Sequence, residues 1–244
     1  MGSKIEKEKA HFRRLFEKRE GLSWWVYATG AGKARLERRR KIVLEYIDPG
    51  TKVLELGIGL GDFTQELLKT GAYITGLEIT PELVRKARKR IKNKRVVLKE
   101  GDAHHLPFRA HSFDFVVGNA VLHHLDLKKV LPQLKKVLKK GGQIIFFEPN
   151  LTNPHVFLQK KIAFLRRVFE ESPGETAFFR WSIKTTLEKA GFVHVKVSPF
   201  DFLYPLTPTF LVGLIRRIEP LLEKMTILRE FSGSLLIYAQ VPKK

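Results

Sequence analysis

Val53-Leu54-Glu55-Leu56-Gly57-Ile58-Gly59-Leu60-Gly61-Asp62-Phe63 reads as a buried apolar strand that runs into a glycine-rich turn and then a helix. Glycines at alternate positions let the backbone bend sharply and approach a ligand with no side chain in the way. Asp62 is placed to cap the helix by accepting a hydrogen bond from an orphan N–H. Strand, glycine turn and helix together make a cofactor-binding element. A purely structural glycine turn is the alternative.

An acid closes the next strand. Tyr73 to Leu77 is rich in strand-forming residues and ends at Glu78, about 20 residues past the turn, the spacing of a carboxylate that grips ribose hydroxyls. Two acceptor oxygens suit two vicinal hydroxyls and repel a 2′-phosphate. A surface acid ending a strand is the alternative. The dinucleotide fingerprint requires a small third residue at position 62, where helix and strand must pack closely. That position is Asp62, which argues against a nicotinamide dehydrogenase.

The pattern from Glu55 through Gly57, Gly59 and Gly61 resembles motif I of the class I S-adenosylmethionine-dependent methyltransferases. Three further segments resemble that family in order: Gly101-Asp102-Ala103-His104-His105-Leu106-Pro107-Phe108, Ser112 to Leu125, and Leu138-Lys139-Lys140-Gly141-Gly142-Gln143-Ile144. Lys140 departs from the family's usual proline. The likeness covers residues 50 to 150 and is similar to the type 11 group, which includes quinone-biosynthesis and other small-molecule enzymes.

The resemblance implies an α/β, Rossmann-like fold: a mainly parallel seven-stranded sheet, an antiparallel last strand and helices on both faces. It implies S-adenosyl-L-methionine as cofactor and S-adenosyl-L-homocysteine as product. Glu55, Gly57, Gly59, Gly61, Glu78 and Ile79 would line the cofactor site. Asp102 would accept from the adenine amino group, with the Ala103 N–H facing the ring. Asn119 would bond the methionine part, and Tyr27 would cover it. His124 is the candidate base if the acceptor must lose a proton. The alternative is that His123 and His124 belong to a common loop signature and only pack or cap.

Composition sets outer limits. The 244 residues include no cysteine, which excludes disulfides, thiolate metal sites, cysteine nucleophiles and cysteine-bound iron–sulfur clusters. His104 and His105 lack a carboxylate at ligand spacing, so no metal site is expected. No apolar run is long enough to span a bilayer, and the charged stretch Lys4 to Arg19 does not read as a secretory leader. A cytoplasmic location is expected. Abundant Lys, Arg and Glu is compatible with a thermophile. The net charge is +20, which attracts polyanions. The basic residues are spread over amphipathic helices, so solvated faces compete with a nucleic-acid or anionic-membrane surface.

The chain divides into an N-terminal helical cap, residues 1–48, and a cofactor-binding domain, residues 49–244. Helices are expected over 4 to 20 and 33 to 47. Strand and helix patterns alternate to Phe147. Two insertions follow, at about 150–181 and 199–231, and Ser234 to Val241 is the last strand. The insertions carry many aromatics and read either as a second small core or as an apolar lid over the methyl donor. Leu211 to Met225 has an apolar face that is expected to pack on the core, with a membrane surface as the alternative.

The fourth strand exits as Gly118-Asn119-Ala120-Val121, unlike the [DN]-P-P-[YF] of enzymes that methylate exocyclic nitrogens. The expected acceptor is therefore a small or lipid-like molecule. An RNA or protein acceptor and a non-catalytic S-adenosylmethionine-binding protein remain alternatives.

Overall fold

The computed structural model describes residues 29–162 and 176–243, together with Ala10. The expected helix over 4 to 20, apart from Ala10, and Tyr27 lie outside the described residues. Within them, α1 (Gly30–Leu44) leads to β1 (Lys52–Leu56), α2 (Asp62–Leu68), β2 (Tyr73–Glu78), α3 (Pro81–Arg90) and β3 (Val96–Glu100). Then come β4 (Phe113–Asn119), a 3-10 turn (Leu122–His124), α4 (Leu127–Val137), β5 (Leu138–Pro149) and α5 (Pro154–Lys161). The chain finishes with α6 (Arg180–Lys189), β6 (Val193–Phe200), α7 (Thr209–Lys224), a second 3-10 turn and β7 (Ser234–Gln240).

The seven strands form one sheet in the order β3-β2-β1-β4-β5-β7-β6. The pairings from β3 to β5 are parallel, and β7 runs antiparallel between β5 and β6. The expected architecture is therefore the observed one. Side chains alternate across a strand, and β1 shows the result. Leu54 and Leu56 join a core with Val130, Leu134 of α4 and Ile183, Leu187 of α6. Val53 joins the opposite core with Leu36, Val43 of α1 and Phe63, Leu67 of α2.

One local expectation is corrected. Asp62 does not cap α2. Gly61, left-handed at φ 83°, takes the cap position, and Asp62 is the first helical residue. Its carboxylate is instead held by Arg90 at 2.8 Å. The segment Leu138 to Ile144, quoted above for its family likeness, lies wholly within β5: Leu138 pairs with Phe113 before a bulge shifts the register to Phe115–Gln143. Gly141, at φ 73°, lies within that bulge.

α7 also departs from expectation. Its only fully buried residue is Glu219, while Phe210, Leu214 and Leu221 face solvent. Among the described residues, no helix is long and apolar enough to cross a membrane.

Candidate functional site

Strand order reverses between β1 and β4. In an open α/β sheet the crevice beyond the carboxyl ends of the strands at such a switch point is where ligands bind. A cavity lies there. Its wall is Leu56 to Gly59 after β1, Leu77 to Ile79 at the end of β2, Gly101 to His104 after β3 and Asn119 to Val121 after β4. Asp62, Phe63, Leu83, His124 and Leu125 complete it.

Gly57 and Gly59 shape the floor. Gly57 is left-handed at φ 68°, and a Cβ there would sit 2.8 Å from Val121 Cγ2. Only glycine fits both demands. The Gly57 N–H donates to Leu77 O at 2.8 Å, which ties the turn to β2. The Gly59 N–H donates to Glu78 Oε2 at 3.1 Å, and the Thr80 N–H to Oε1 at 3.0 Å. Glu78 thus holds the glycine turn open while its carboxylate lines the cavity. Burial pushes its carboxyl up from the ordinary range, and those backbone donors work against the shift.

The second acid is held by a histidine. Asp102 Oδ1 lies 2.6 Å from His104 Nδ1, and His104 Nε2 accepts from the Asp126 N–H at 3.0 Å. A backbone N–H can only donate, so Nε2 is bare and Nδ1 carries the proton. His104 thus bridges two loops. Burial works to raise the Asp102 carboxyl, but the backbone and ring of His104 outweigh it and hold it below the usual value. Ala103 stands next to it in the cavity wall.

Beyond β4 the backbone is unusual. Ala120 is left-handed at φ 57°, a conformation that costs a non-glycine residue about 1–2 kcal/mol. Its N–H donates to Phe147 O at 2.7 Å. The next turn is organised by Glu148, fully buried at the end of β5. That carboxylate accepts from the Val121 and Leu122 N–H groups at 3.0 and 2.8 Å. It also lies 2.6 Å from His123 Nδ1. His123 is thus buried and engaged in structure, whereas His124 reaches the cavity. Sequence reasoning missed Glu148. The signal was an acid interrupting the apolar run Ile144-Ile145-Phe146-Phe147.

Of the predicted site residues, Gly57, Gly59, Glu78, Ile79, Asp102, Ala103, Asn119 and His124 meet around this cavity. Glu55 and Gly61 are not in its wall. Glu55 shares a strand face with Val53, which packs under α1 and α2. A Cβ on Gly61 would meet Ile91 Cδ1 at 2.3 Å, so that glycine serves packing. Tyr27 lies outside the described residues.

Glu55 is buried, and its Oε2 has no hydrogen-bond partner among the described residues. Desolvation, with Thr64 tempering it and Asp62 and Glu78 adding to it, pushes its carboxyl up to about 8. The folded state therefore holds a proton that the unfolded chain releases near 4.5, so the stability tied to Glu55 is complete below 4.5 and is lost as pH rises through about 8. Glu55→Gln is expected to flatten that decline. Thermal unfolding of both proteins from acid to alkaline pH checks this, and parallel curves would contradict it.

A second cavity adjoins the first. Its wall includes Arg35 and Arg39 of α1, Ala120, Phe147 to Pro149 of β5, His155 of α5 and the Asp201 to Pro205 loop. Ala120 belongs to both walls. His155 Nε2 lies 2.6 Å from the Tyr204 hydroxyl. Behind them Asp201, left-handed at φ 72°, meets Arg35 at 3.2 Å, Arg39 at 3.4 Å and Arg216 at 3.2 Å.

Residues 54–146 match the family described as methyltransferase domain. That stretch, from β1 into β5, is similar to methyltransferase domains. It is 27% identical over 222 residues to demethylmenaquinone methyltransferase of Staphylococcus aureus, covering 81% of this chain and 90% of that one. A methyltransferase structure from Thermotoga maritima, described as a possible histamine N-methyltransferase, superposes with a TM-score of 0.69 at 21% identity. It covers 95% of this chain and 99% of its own. Phosphoethanolamine N-methyltransferase 2 of Haemonchus contortus gives 0.65 at 18% identity, over 95% and 60% of the two chains. These two structures share the fold.

The methyltransferase cavity fits its cofactor. Its floor is the side-chain-free backbone of Gly57 and Gly59, and a carboxylate stands at the end of β2 with further lone pairs. The remaining wall is apolar at Leu83, Val121 and Leu125, as a nucleoside requires.

Proposed function

We propose that this methyltransferase acts on a small, lipid-like acceptor seated in the second cavity. The observation that carries the reading is Ala120, which stands in the wall of both chambers. Donor and acceptor would meet across it. When bound, S-adenosylmethionine supplies a methyl on a sulfonium, already a good leaving group. The chain's residues then have to position the acceptor in line and keep water out.

On this reading Glu78 clasps the ribose hydroxyls, Asp102 and the Ala103 N–H meet the adenine, and Asn119 holds the methionine end. Gly57 and Gly59 admit the cofactor to the backbone. Phe147 and Phe202 supply apolar wall to the second chamber, while the His155–Tyr204 pair holds an acceptor oxygen. His124, in the donor wall, is the group placed to take a proton from the acceptor. The S. aureus relative, named for a demethylmenaquinone substrate, supports an acceptor of this class.

The test is incubation with methyl-labelled cofactor and a fractionated cell extract. Label is expected in the lipid or small-molecule fraction. Uptake by RNA or protein would overturn the acceptor class. Cofactor binding with no uptake anywhere would favour a non-catalytic binding protein.

A further inference from the structure

An amphipathic surface helix ordinarily turns its apolar stripe to the core. α7 does the reverse. At 3.6 residues per turn, Phe210, Leu214, Ile218, Leu221 and Met225 fall within an arc of about 80°. They are 83, 57, 42, 65 and 49% exposed. Ile227, just past the helix, is 75% exposed.

The opposite face carries the charged groups that bind the helix to the body of the fold. Glu219 is 1% exposed and lies 2.8 Å from Arg38 of α1. It also pairs with Arg216 and accepts from the Phe202 N–H. Glu223 accepts from the Asp201 N–H at 2.8 Å. These contacts fix the helix's rotation, because turning the apolar face inward would strand Glu219 and its arginine partners.

We propose that this outward apolar face seats the protein on an anionic lipid bilayer, with the helix lying in the interfacial plane. Apolar faces of this breadth mark interaction sites, and charge selects the partner. Arg217 and Lys224, both exposed, flank the stripe on one side, and the chain carries +20. A second copy would bring that charge against itself, whereas an anionic headgroup layer neutralises it.

The wall of the second cavity includes Phe202 to Pro205, the loop that leads to α7, and residues of α5, a helix that exposes Phe157 and Leu158. Docking would bring the chain to the phase where an apolar acceptor is dissolved. Only that benefit rests on the proposed function. The docking stands without it.

The test is co-sedimentation of the full chain with phosphatidylcholine vesicles, pure or with about a third phosphatidylglycerol. Wild type is expected to bind the anionic vesicles, more weakly as salt rises, and to bind pure phosphatidylcholine little. Leu214→Ser combined with Leu221→Ser is expected to weaken anionic-vesicle binding about tenfold or more, with cofactor affinity and thermal unfolding unchanged. Two results would overturn the proposal. One is no vesicle binding by wild type at low salt, including the case of a dimer that the double variant dissociates. The other is equal binding by the double variant, which would leave charge alone in control.

Discussion

Asp201→Asn should lower stability by about 3–5 kcal/mol, the cost of removing one partner from a buried ion cluster. Asp201 is 1% exposed and faces Arg35, Arg39 and Arg216. Without its charge these guanidinium groups lose their shared anion in a setting that solvates them poorly. Asparagine is the informative replacement. It keeps the size and tolerates the left-handed backbone, so the change isolates the charge. For a chain of this length the melting temperature should fall by on the order of 10 °C.

The pH dependence gives a second reading of the same experiment. Burial alone would raise the Asp201 carboxyl, but Arg35 and then Arg39 and Arg216 outweigh it and hold it below its ordinary value. The stability it supplies is therefore present above the unfolded value of 3.8 and is lost as pH falls through the lower folded value. Wild type and variant should converge in acid and separate above it. A variant that melts with wild type at neutral pH would show that the cluster contributes nothing net.

Glu78→Ala should weaken S-adenosylmethionine binding by about 1–3 kcal/mol, the loss expected for hydrogen bonds to a charged group. That is roughly fivefold to a hundredfold in Kd, readable by titration calorimetry. Two effects combine. The ribose loses its acceptor, and the Gly59 and Thr80 N–H groups lose the carboxylate that anchors them. Glu78→Gln separates the two, since an amide oxygen can still accept from one backbone donor. Its affinity should fall between the others. An unchanged Kd in the alanine variant would remove Glu78 from the cofactor site.

The donor side was legible in sequence because it is built from successive local units. Each parallel strand ends in a short loop, and those loops hold Gly57, Gly59, Glu78, Asp102 and Asn119. Reading one loop at a time therefore recovers most of the wall. Glu55 and Gly61 stand apart because the strand's alternation and the packing on Ile91 turn them elsewhere. The second cavity was less legible. It joins Arg35 of α1, His155 of α5 and Tyr204 beyond β6, segments brought together only by the order of the sheet. α7 shows the same limit. Its apolar stripe was plain in the sequence, but its direction depends on Arg38, which reaches Glu219 from α1. No local pattern carries that information.

Ala120 has one more consequence. It stands in the wall of both cavities, and its left-handed backbone is held by a hydrogen bond to Phe147. That shared wall is stiffened by its bond to β5. On the proposed reading, the distance between donor and acceptor would be kept at this residue by the strands rather than by a loop.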